Sequence, residues 1–210
     1  MRRPLRMAIY GLLTAVLLAP VAAVAVAVDG LEPAKAKGFD EAWQKPGADF
    51  ARYTAVLIRP PSVAFSRHWR PRDYGSFGLK PAEVERIRSS YAEAAERAFA
   101  RVLAKRGLPV VTAPGENVLE VQAEVLDLYV NGPEITSDVL VRTYVRSAAD
   151  MRLRLTLLDS ASGTVLFRGT DFKRGQESGR LEWANSVYNR MEAEHAFTGW
   201  ARQLSEMLRK

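Results

Sequence analysis

Two segments of alternating apolar and polar residues, 118–130 and 149–158, constrain the fold of this chain more than any other feature. A period of two places the apolar side chains on one face of a β-strand and the polar side chains on the other. The polar positions of the first segment include Glu120 and Glu124, whereas those of the second are mostly arginines. Because opposite charges that face each other across two strands attract, we predict that these strands are neighbours in one sheet.

Helical periodicity predicts two long helices. Pro81 suits the first turn of a helix, apolar residues then recur three and four positions apart, and Gly107 is a suitable C-terminal cap. A second apolar stripe predicts a helix over residues 181–208. The members of that stripe are Trp183, Val187, Met191, Ala193, Phe197, Trp200, Leu204 and Leu208. Trp183 and Trp200 are expected to share one helical face and to pack on the sheet.

Shorter strands are predicted at 53–58, 62–65 and 108–112, and the 149–158 segment is predicted to form a hairpin with 164–170 through a serine-rich turn. The element order is therefore strand, helix, strands in series and helix. This order favours an α+β fold, with a four- or five-stranded, largely antiparallel sheet and two long helices packed on one face. An N-terminal signal or anchor helix is expected to precede it.

The first 27 residues have the three-part pattern of a secretory signal, with three arginines, an apolar run and a small-residue end. The run is also about long enough to cross a bilayer if it is not cut. A cleaved signal peptide and an uncleaved anchor over 1–27 therefore both remain open. Residues 28–49 are interpreted as a linker and 50–210 as a single α+β domain. We expect an exported protein, periplasmic or associated with the cell envelope, with membrane contact only through an uncleaved N-terminal segment.

Charge and cysteine content limit the classes of function. The net charge is +6, but without the three leader arginines 27 basic residues face 24 acidic ones, a balance of +3 that does not indicate a nucleic-acid partner. There is no cysteine, so disulfides, thiolate metal sites and a lipid-attachment cysteine are excluded. The two histidines, His68 and His195, lie far apart without ligand spacing. We predict no metal and no cofactor.

One stretch is a candidate recognition site, because arginine forks onto carboxylates and phosphates and aromatic rings give rigid contact area. It comprises Arg59, Arg67, His68, Trp69, Arg70, Arg72 and Tyr74. In one interpretation this stretch binds an anionic envelope partner, such as an acidic protein patch, lipid headgroups or a wall polymer. In the other, Trp69 and Tyr74 anchor the loop to its own core and the arginines are solvated.

No catalytic constellation is recognisable. Ser66 and His68 lie two apart, but no G-x-S-x-G elbow and no orienting acid accompany them. Phosphate-binding glycine motifs are absent from the sequence. Paired acids for glycoside cleavage are not excluded, because Asp and Glu are numerous.

Four stretches resemble a bacterial domain-of-unknown-function family numbered thirty-three thirteen, whose members are mostly exported lipoproteins. They are Tyr53–Val63, Ala113–Asp127, Leu157–Leu166 and Phe197–Leu204, and the resemblance spans about Tyr53 to Leu208. It implies an envelope protein without an assigned reaction. Family members often carry a lipid-attachment cysteine, which this chain lacks. We therefore expect a non-catalytic binding or assembly module that recognises another envelope component; the alternative is a cell-wall or envelope hydrolase with unidentified acid residues.

Overall fold

The parts of the chain that the computed structural model describes are 30–74, 78–133, 144–145, 147–175, 182–183 and 185–208. The segment 1–27, interpreted as a signal peptide or anchor, lies outside them. Within these ranges no helix is long and apolar enough to cross a membrane.

A mixed sheet of eight strands forms the centre of the described fold, and two further short strands form a separate pair. The strands are β1 (Glu32–Pro33), β2 (Glu41–Gln44), β3 (Ala55–Ile58), β4 (Ser62–Phe65), β5 (Val110–Val111), β6 (Val118–Val130), β7 (Tyr144–Val145), β8 (Ala149–Asp159), β9 (Val165–Arg174) and β10 (Glu182–Trp183). The order in the sheet is β1-β2-β9-β8-β6-β3-β5, with β4 also paired to β6, while β7 pairs with β10.

The predicted class is confirmed, but the predicted number of four or five strands is wrong. The additional strands of this sheet, β1 and β2, are two and four residues long, which is too short for an alternating pattern to be visible in the sequence. The expectation of a largely antiparallel sheet holds only for the half of the sheet that contains β1, β2, β9, β8 and β6, in that spatial order. Strands β3, β4 and β5 all form parallel pairs, because the long helix between β4 and β5 crosses over and returns the chain in its original direction.

The predicted neighbours β6 and β8 do pair, in antiparallel register. Glu124 lies opposite Arg154, and Nη1 of the arginine is 3.1 Å from Oε2 of the glutamate. Glu120 lies opposite Leu158 instead of an arginine. The cross-strand attraction expected for both glutamates therefore operates for one of them.

A β-bulge at Asp127 divides β6 into two parts. The register with β8 shifts between Leu126 and Tyr129, and Asp127 has φ of 52°. In a regular strand Asp127 would face the core, and Leu128 and Val130 would face away from it. The extra residue at the bulge keeps both of these apolar side chains buried.

The segment 28–49, interpreted as a linker, contributes two strands to the sheet. Trp43 of β2 lies opposite Arg168 of β9, and β1 pairs with β2. Leu31, just before β1, is 1% exposed. This part of the chain therefore packs with the sheet, although glycine and proline hide any period in its sequence.

Helix α1 (Pro81–Lys105) confirms the first predicted helix. Pro81 is its first residue, and the Glu83 carboxylate accepts a hydrogen bond from the Lys80 backbone at 2.7 Å, which satisfies one free donor of the first turn. Gly107 follows the C-terminus with φ of 82°, a conformation that glycine adopts without strain. The buried face of α1 packs on α2 and on the β3–β5 side of the sheet.

Helix α2 (Ser186–Met207) begins five residues later than predicted. Asn185 caps it, its side chain accepting a hydrogen bond from the backbone of Tyr188 at 2.9 Å. Trp183 belongs to β10, so the helical face predicted to be shared with Trp200 does not exist. Val187 and Met191 are also solvent-exposed, at 63% and 57%. The rest of the predicted stripe is buried, and it comprises Ala193, Phe197, Trp200, Leu204 and Leu208.

Candidate functional site

The arginine loop, residues 66–74, is fixed to the end of β6 by its aromatic side chains. Trp69 is buried, and its Nε1 donates a hydrogen bond to the Val130 carbonyl oxygen at 3.0 Å. The Tyr74 hydroxyl donates to the same oxygen at 2.8 Å. The Trp69 ring also stacks on Phe65 with 4.3 Å between centroids. Through these contacts Trp69 and Tyr74 anchor the loop to the core, as the second interpretation of the loop describes.

The arginines of the loop point away from that anchor. Arg67, Arg70 and Arg72 are exposed, as is His68, whose Nε2 accepts a hydrogen bond from Arg67 Nε at 3.1 Å. Among the described residues, none of the three arginines forms an ion pair. A short 3-10 helix over Pro71–Asp73 holds the backbone between them. The loop thus presents three positive charges on a fixed support.

Arg59, the seventh candidate, lies elsewhere. Its Nη2 is 2.8 Å from Oε2 of Glu120, and its backbone N–H donates to the Val121 carbonyl. At about 3.3 Å per strand residue, this position is roughly 30 Å along β6 from Val130. The hydrogen bond from Arg59 lowers the pKa of Glu120 below its ordinary value. Arg59 is thus the partner of a carboxylate in the sheet and is separate from the arginine loop.

Two carboxylates line one open depression, about 410 Å³ in volume, beside the β8–β9 turn. Asp159 accepts hydrogen bonds from the Tyr53 hydroxyl at 2.9 Å and from the Ser162 backbone at 2.8 Å. The Ser162 bond is the largest cause that lowers the pKa of Asp159. Asp49 accepts from the Ala51 backbone at 2.9 Å. Both carboxylates hold local backbone in place, which is a poor setting for a general acid.

The other catalytic candidates are not assembled. The Ser66 hydroxyl accepts from the backbone N–H of His68, not from its ring, at 3.3 Å. His195 lies on α2, apart from His68 in the loop. In the described ranges, no group of three or more His, Asp or Glu side chains is placed to hold a metal ion.

A partly open site that the sequence did not reveal lies between the two helices and the open end of the β8–β9 hairpin. We call this cavity of about 200 Å³ the Tyr91 cavity. Its lining comprises Tyr91, Ala148, Ala149, Met151, Lys173, Arg174, Gly175, Glu192, Ala193, His195, Ala196 and Gly199. Tyr91 is 3% exposed and its hydroxyl has no hydrogen-bond partner. Lys173 Nζ lies 4.4 Å from the centroid of the Trp200 ring.

One signal in the sequence points to this cavity. Phe167, Gly169, Asp171 and Lys173 occupy alternate positions of β9, on the side that packs against α2. Charged residues at two consecutive core-facing positions are unusual in a strand, because burying a charge is unfavourable unless it is paired. The predicted strand ends at residue 170, before Asp171 and Lys173, so it does not include these two charged positions.

The sequence profile of the family described as "Protein of unknown function (DUF3313)" matches residues 23–204. The chain belongs to this family. The match begins earlier than the resemblance noted from residue 53, and it includes the segment that contributes β1 and β2. No curated protein matches this DUF3313 protein in sequence.

Several solved structures are similar to this chain at low sequence identity. The PelC dodecamer from Paraburkholderia phytofirmans is 14% identical with a TM-score of 0.37, covering 75% of this chain and 94% of that one. A DUF330 protein from Xanthomonas campestris is 16% identical with a TM-score of 0.42, covering 77% and 86%. A lipoprotein from Neisseria meningitidis is 14% identical with a TM-score of 0.34, covering 71% and 99%. Likenesses of this size carry no conclusion about function.

Two parts of this DUF3313 protein therefore have exposed or unsatisfied polar chemistry. The sequence singled out the arginine loop, whose three arginines are exposed, together with Arg59, which lies apart from it and pairs with Glu120. The Tyr91 cavity was not found, and it combines a cation with a hydroxyl that has no partner.

Proposed function

We propose that this protein is a non-catalytic binding module of the cell envelope that recognises an acidic surface on another envelope component through its arginine loop. One observation carries the proposal: Arg67, Arg70 and Arg72 are exposed on a loop that Trp69 and Tyr74 fix to the Val130 carbonyl.

The rigid support matters because binding loses less conformational entropy when the contact groups are already held in place. Each guanidinium has a planar array of donors that matches a carboxylate in a bidentate fashion. Asp73 is the acidic residue within the loop, so positive charge predominates there. An acidic protein surface fits this pattern of charge, and so do anionic lipids and wall polymers as other sources of the same charge.

Export is part of the proposal and rests on the sequence pattern of residues 1–27. A partner in the same compartment follows from it. The hydrolase alternative requires a carboxyl group that is free to take up and release a proton. The two carboxylates that share the depression near the β8–β9 turn are engaged in hydrogen bonds, which favours binding over hydrolysis.

Crosslinking capture from intact cells, with a C-terminally tagged full-length chain, tests the proposal. We compare the native chain with a triple variant in which Arg67, Arg70 and Arg72 are replaced by Gln. The control triple variant replaces by Gln three exposed arginines outside the loop, namely Arg106 at the C-cap of α1 and Arg190 and Arg202 on α2, and it removes the same total charge.

The expected result is one reproducible acidic envelope protein that the native chain and the control capture and the loop variant does not. Retained capture by the loop variant contradicts the proposal. Equal loss in both variants would show that only net charge matters. Binding of the purified chain to vesicles with anionic lipid, and not to neutral ones, would transfer recognition to the membrane surface.

A further inference from the structure

We propose that the Tyr91 cavity is a binding site for a small carboxylic acid, whose carboxylate is held by Lys173 and the Tyr91 hydroxyl. This site goes beyond the proposed function, since it lies on a different part of the molecule and uses none of the loop arginines.

The Tyr91 hydroxyl supplies the first argument. Tyr91 lies on the buried face of α1 and is 3% exposed. Its hydroxyl is one of four buried side-chain polar atoms that have no hydrogen-bond partner in the described residues. A hydroxyl removed from water without a partner destabilises the fold, so most buried hydroxyls are bonded. This one lines a cavity, and an acceptor placed there would satisfy it.

Lys173 supplies the second argument. It lines the same cavity from β9, is half-buried, and has its ammonium against the face of the Trp200 ring. No described acidic oxygen lies within ion-pair distance of Lys173. Asp171, two residues earlier, is turned to Trp200, whose Nε1 donates to its Oδ2 at 2.6 Å. Burial lowers the pKa of Lys173, which an arriving anion would reverse.

Small residues create the space in front of these two groups. Half of the lining residues are alanine or glycine, namely Ala148, Ala149, Gly175, Ala193, Ala196 and Gly199. A Cβ on Gly199 would lie 3.1 Å from Lys173 Nζ, so glycine leaves the ammonium room to turn. A cavity of about 150 Å³ holds a benzene-sized molecule. The Tyr91 cavity, at about 200 Å³, therefore has room for a six-membered ring with a carboxylate.

The charges of the lining favour an anion over a cation. Lys173 and Arg174 are cationic, Glu192 is the acidic side chain of the lining, and His195 lies exposed on its α2 side. The influence of Glu192 falls on Tyr91, where it adds to burial in raising the pKa of the phenol. It therefore favours a neutral hydroxyl that donates to an acceptor. The apolar body of the ligand would lie against Met151 and the alanines.

Two sources can supply this chemistry: a free carboxylic acid, or the C-terminal carboxylate of a peptide that ends in a small residue. Both present one carboxylate on a small apolar group. Benzoate represents the first source and N-acetylalanine the second. Benzamide and N-acetylalaninamide are their uncharged counterparts with nearly the same shape.

The test measures binding of these four probes to the purified full-length chain by calorimetry and by the shift in thermal midpoint. We expect at least one acid to bind and to raise the midpoint as its concentration increases, and neither amide to do so. Stronger binding of benzoate identifies a free acid as the ligand class, and stronger binding of N-acetylalanine identifies a chain end.

Two variants of the lining and two controls connect binding to the site. Lys173→Met keeps an unbranched, flexible side chain without the ammonium, and it should weaken binding of the acid about tenfold or more because it removes a charged donor. Tyr91→Phe removes only the hydroxyl and should weaken binding of the acid about fivefold. The controls Lys105→Met and Tyr53→Phe make the same chemical changes outside the cavity and should leave binding unchanged.

The proposal is overturned if neither acid binds, if an amide binds as well as its acid, or if neither lining variant weakens binding of the acid. Tyr91→Phe protects this conclusion against a folding defect, because the Phe ring fills the same space. The triple variant of Arg67, Arg70 and Arg72 should bind the acid normally, so failure here leaves the proposed function untouched and the reverse also holds.

Discussion

The arginine loop and the Tyr91 cavity flank the same end of the sheet, and they differ in how their polar atoms are satisfied. On the β4 side of β6, Trp69 and Tyr74 both donate to the Val130 carbonyl. On the other side, Val130 pairs with Ala149, which lines a cavity where the Tyr91 hydroxyl has no partner. The polar atoms of the aromatic residues Trp69 and Tyr74 are therefore hydrogen-bonded and fix the loop, whereas the hydroxyl of Tyr91 has no hydrogen-bond partner among the described residues.

The largest effect is expected at the satisfied anchor. Trp69→Ala should lower the free energy of unfolding by about 3–5 kcal/mol, because it opens a cavity beside Phe65 and frees the Val130 carbonyl. Urea denaturation followed by circular dichroism measures this loss. Trp43→Ala is the matched control. Trp43 lies on β2 and is less buried than Trp69, so the variant should lose less free energy of unfolding. Equal losses would mean that Trp69 is no more of an anchor than Trp43.

A matched pair of tyrosine variants addresses the difference directly. Tyr74→Phe should lower the free energy of unfolding by about 1 kcal/mol, because it removes a hydrogen bond to Val130. Tyr91→Phe should leave stability unchanged or raise it by up to about 1 kcal/mol, since it removes a buried hydroxyl without a partner. Both are measured by urea denaturation without ligand. A loss at Tyr91 as large as at Tyr74 would show that its hydroxyl has a partner in solution.

The pH dependence of stability should have opposite signs for two carboxylates. Glu120 has a lowered pKa in the folded protein, so its contribution is complete above the unfolded value and is lost as the pH falls through the folded value. Burial raises the pKa of Asp171, so the folded state binds more protons and stability falls as the pH rises from the unfolded to the folded value.

Denaturation from pH 3 to pH 7 checks this prediction with Glu120→Gln and Asp171→Asn. Relative to the native chain, the Glu120 variant should become less stable as the pH rises, and the Asp171 variant should become more stable. Parallel pH profiles for the two variants would remove the electrostatic difference between the sheet face and the side that packs on α2.

The smallest expected effect is a change at Lys173 alone. Its pKa in the ligand-free protein should lie below the ordinary lysine value, because burial disfavours the ammonium. Benzoate at saturating concentration should raise it. Carbon NMR of the labelled lysine side chains measures both values, with Lys105 as an exposed reference. A Lys173 pKa that does not respond to benzoate would contradict the proposed contact between the ligand carboxylate and the Lys173 ammonium.

The long periodic segments and the short strands β3, β4 and β5 were predictable, whereas β1, β2 and the start of α2 were not. Helix α1, the pairing of β6 with β8 and the β8–β9 hairpin have enough residues for a period to be read. Strands β1 and β2 have two and four residues, and each pairs with a longer neighbour that offers it hydrogen bonds. The start of α2 was misplaced because its apolar pattern continues backwards through Trp183, whereas the N-cap at Asn185 sets the first residue of the helix at Ser186.

The candidate sites divide in the same way. The arginine loop is local in sequence, so its composition was visible, although the contact of Arg59 with Glu120 joins residues 61 positions apart and was not. The Tyr91 cavity combines α1, β8, β9 and α2, and no single segment carries its signature. A site made of space between elements becomes visible only when the packing is known.

The bulge in β6 has a consequence for how this strand can vary in length. Two residues of β6 there span one position of β8 and one position of β4, and both neighbours shift register at the same point. Removing Asp127 would therefore leave every other side chain of the strand on its present side. Removing Ala123 would instead exchange the sides of the residues on one flank of the gap. A deletion at Asp127 should therefore be tolerated, whereas a deletion in the regularly paired part of the strand should not.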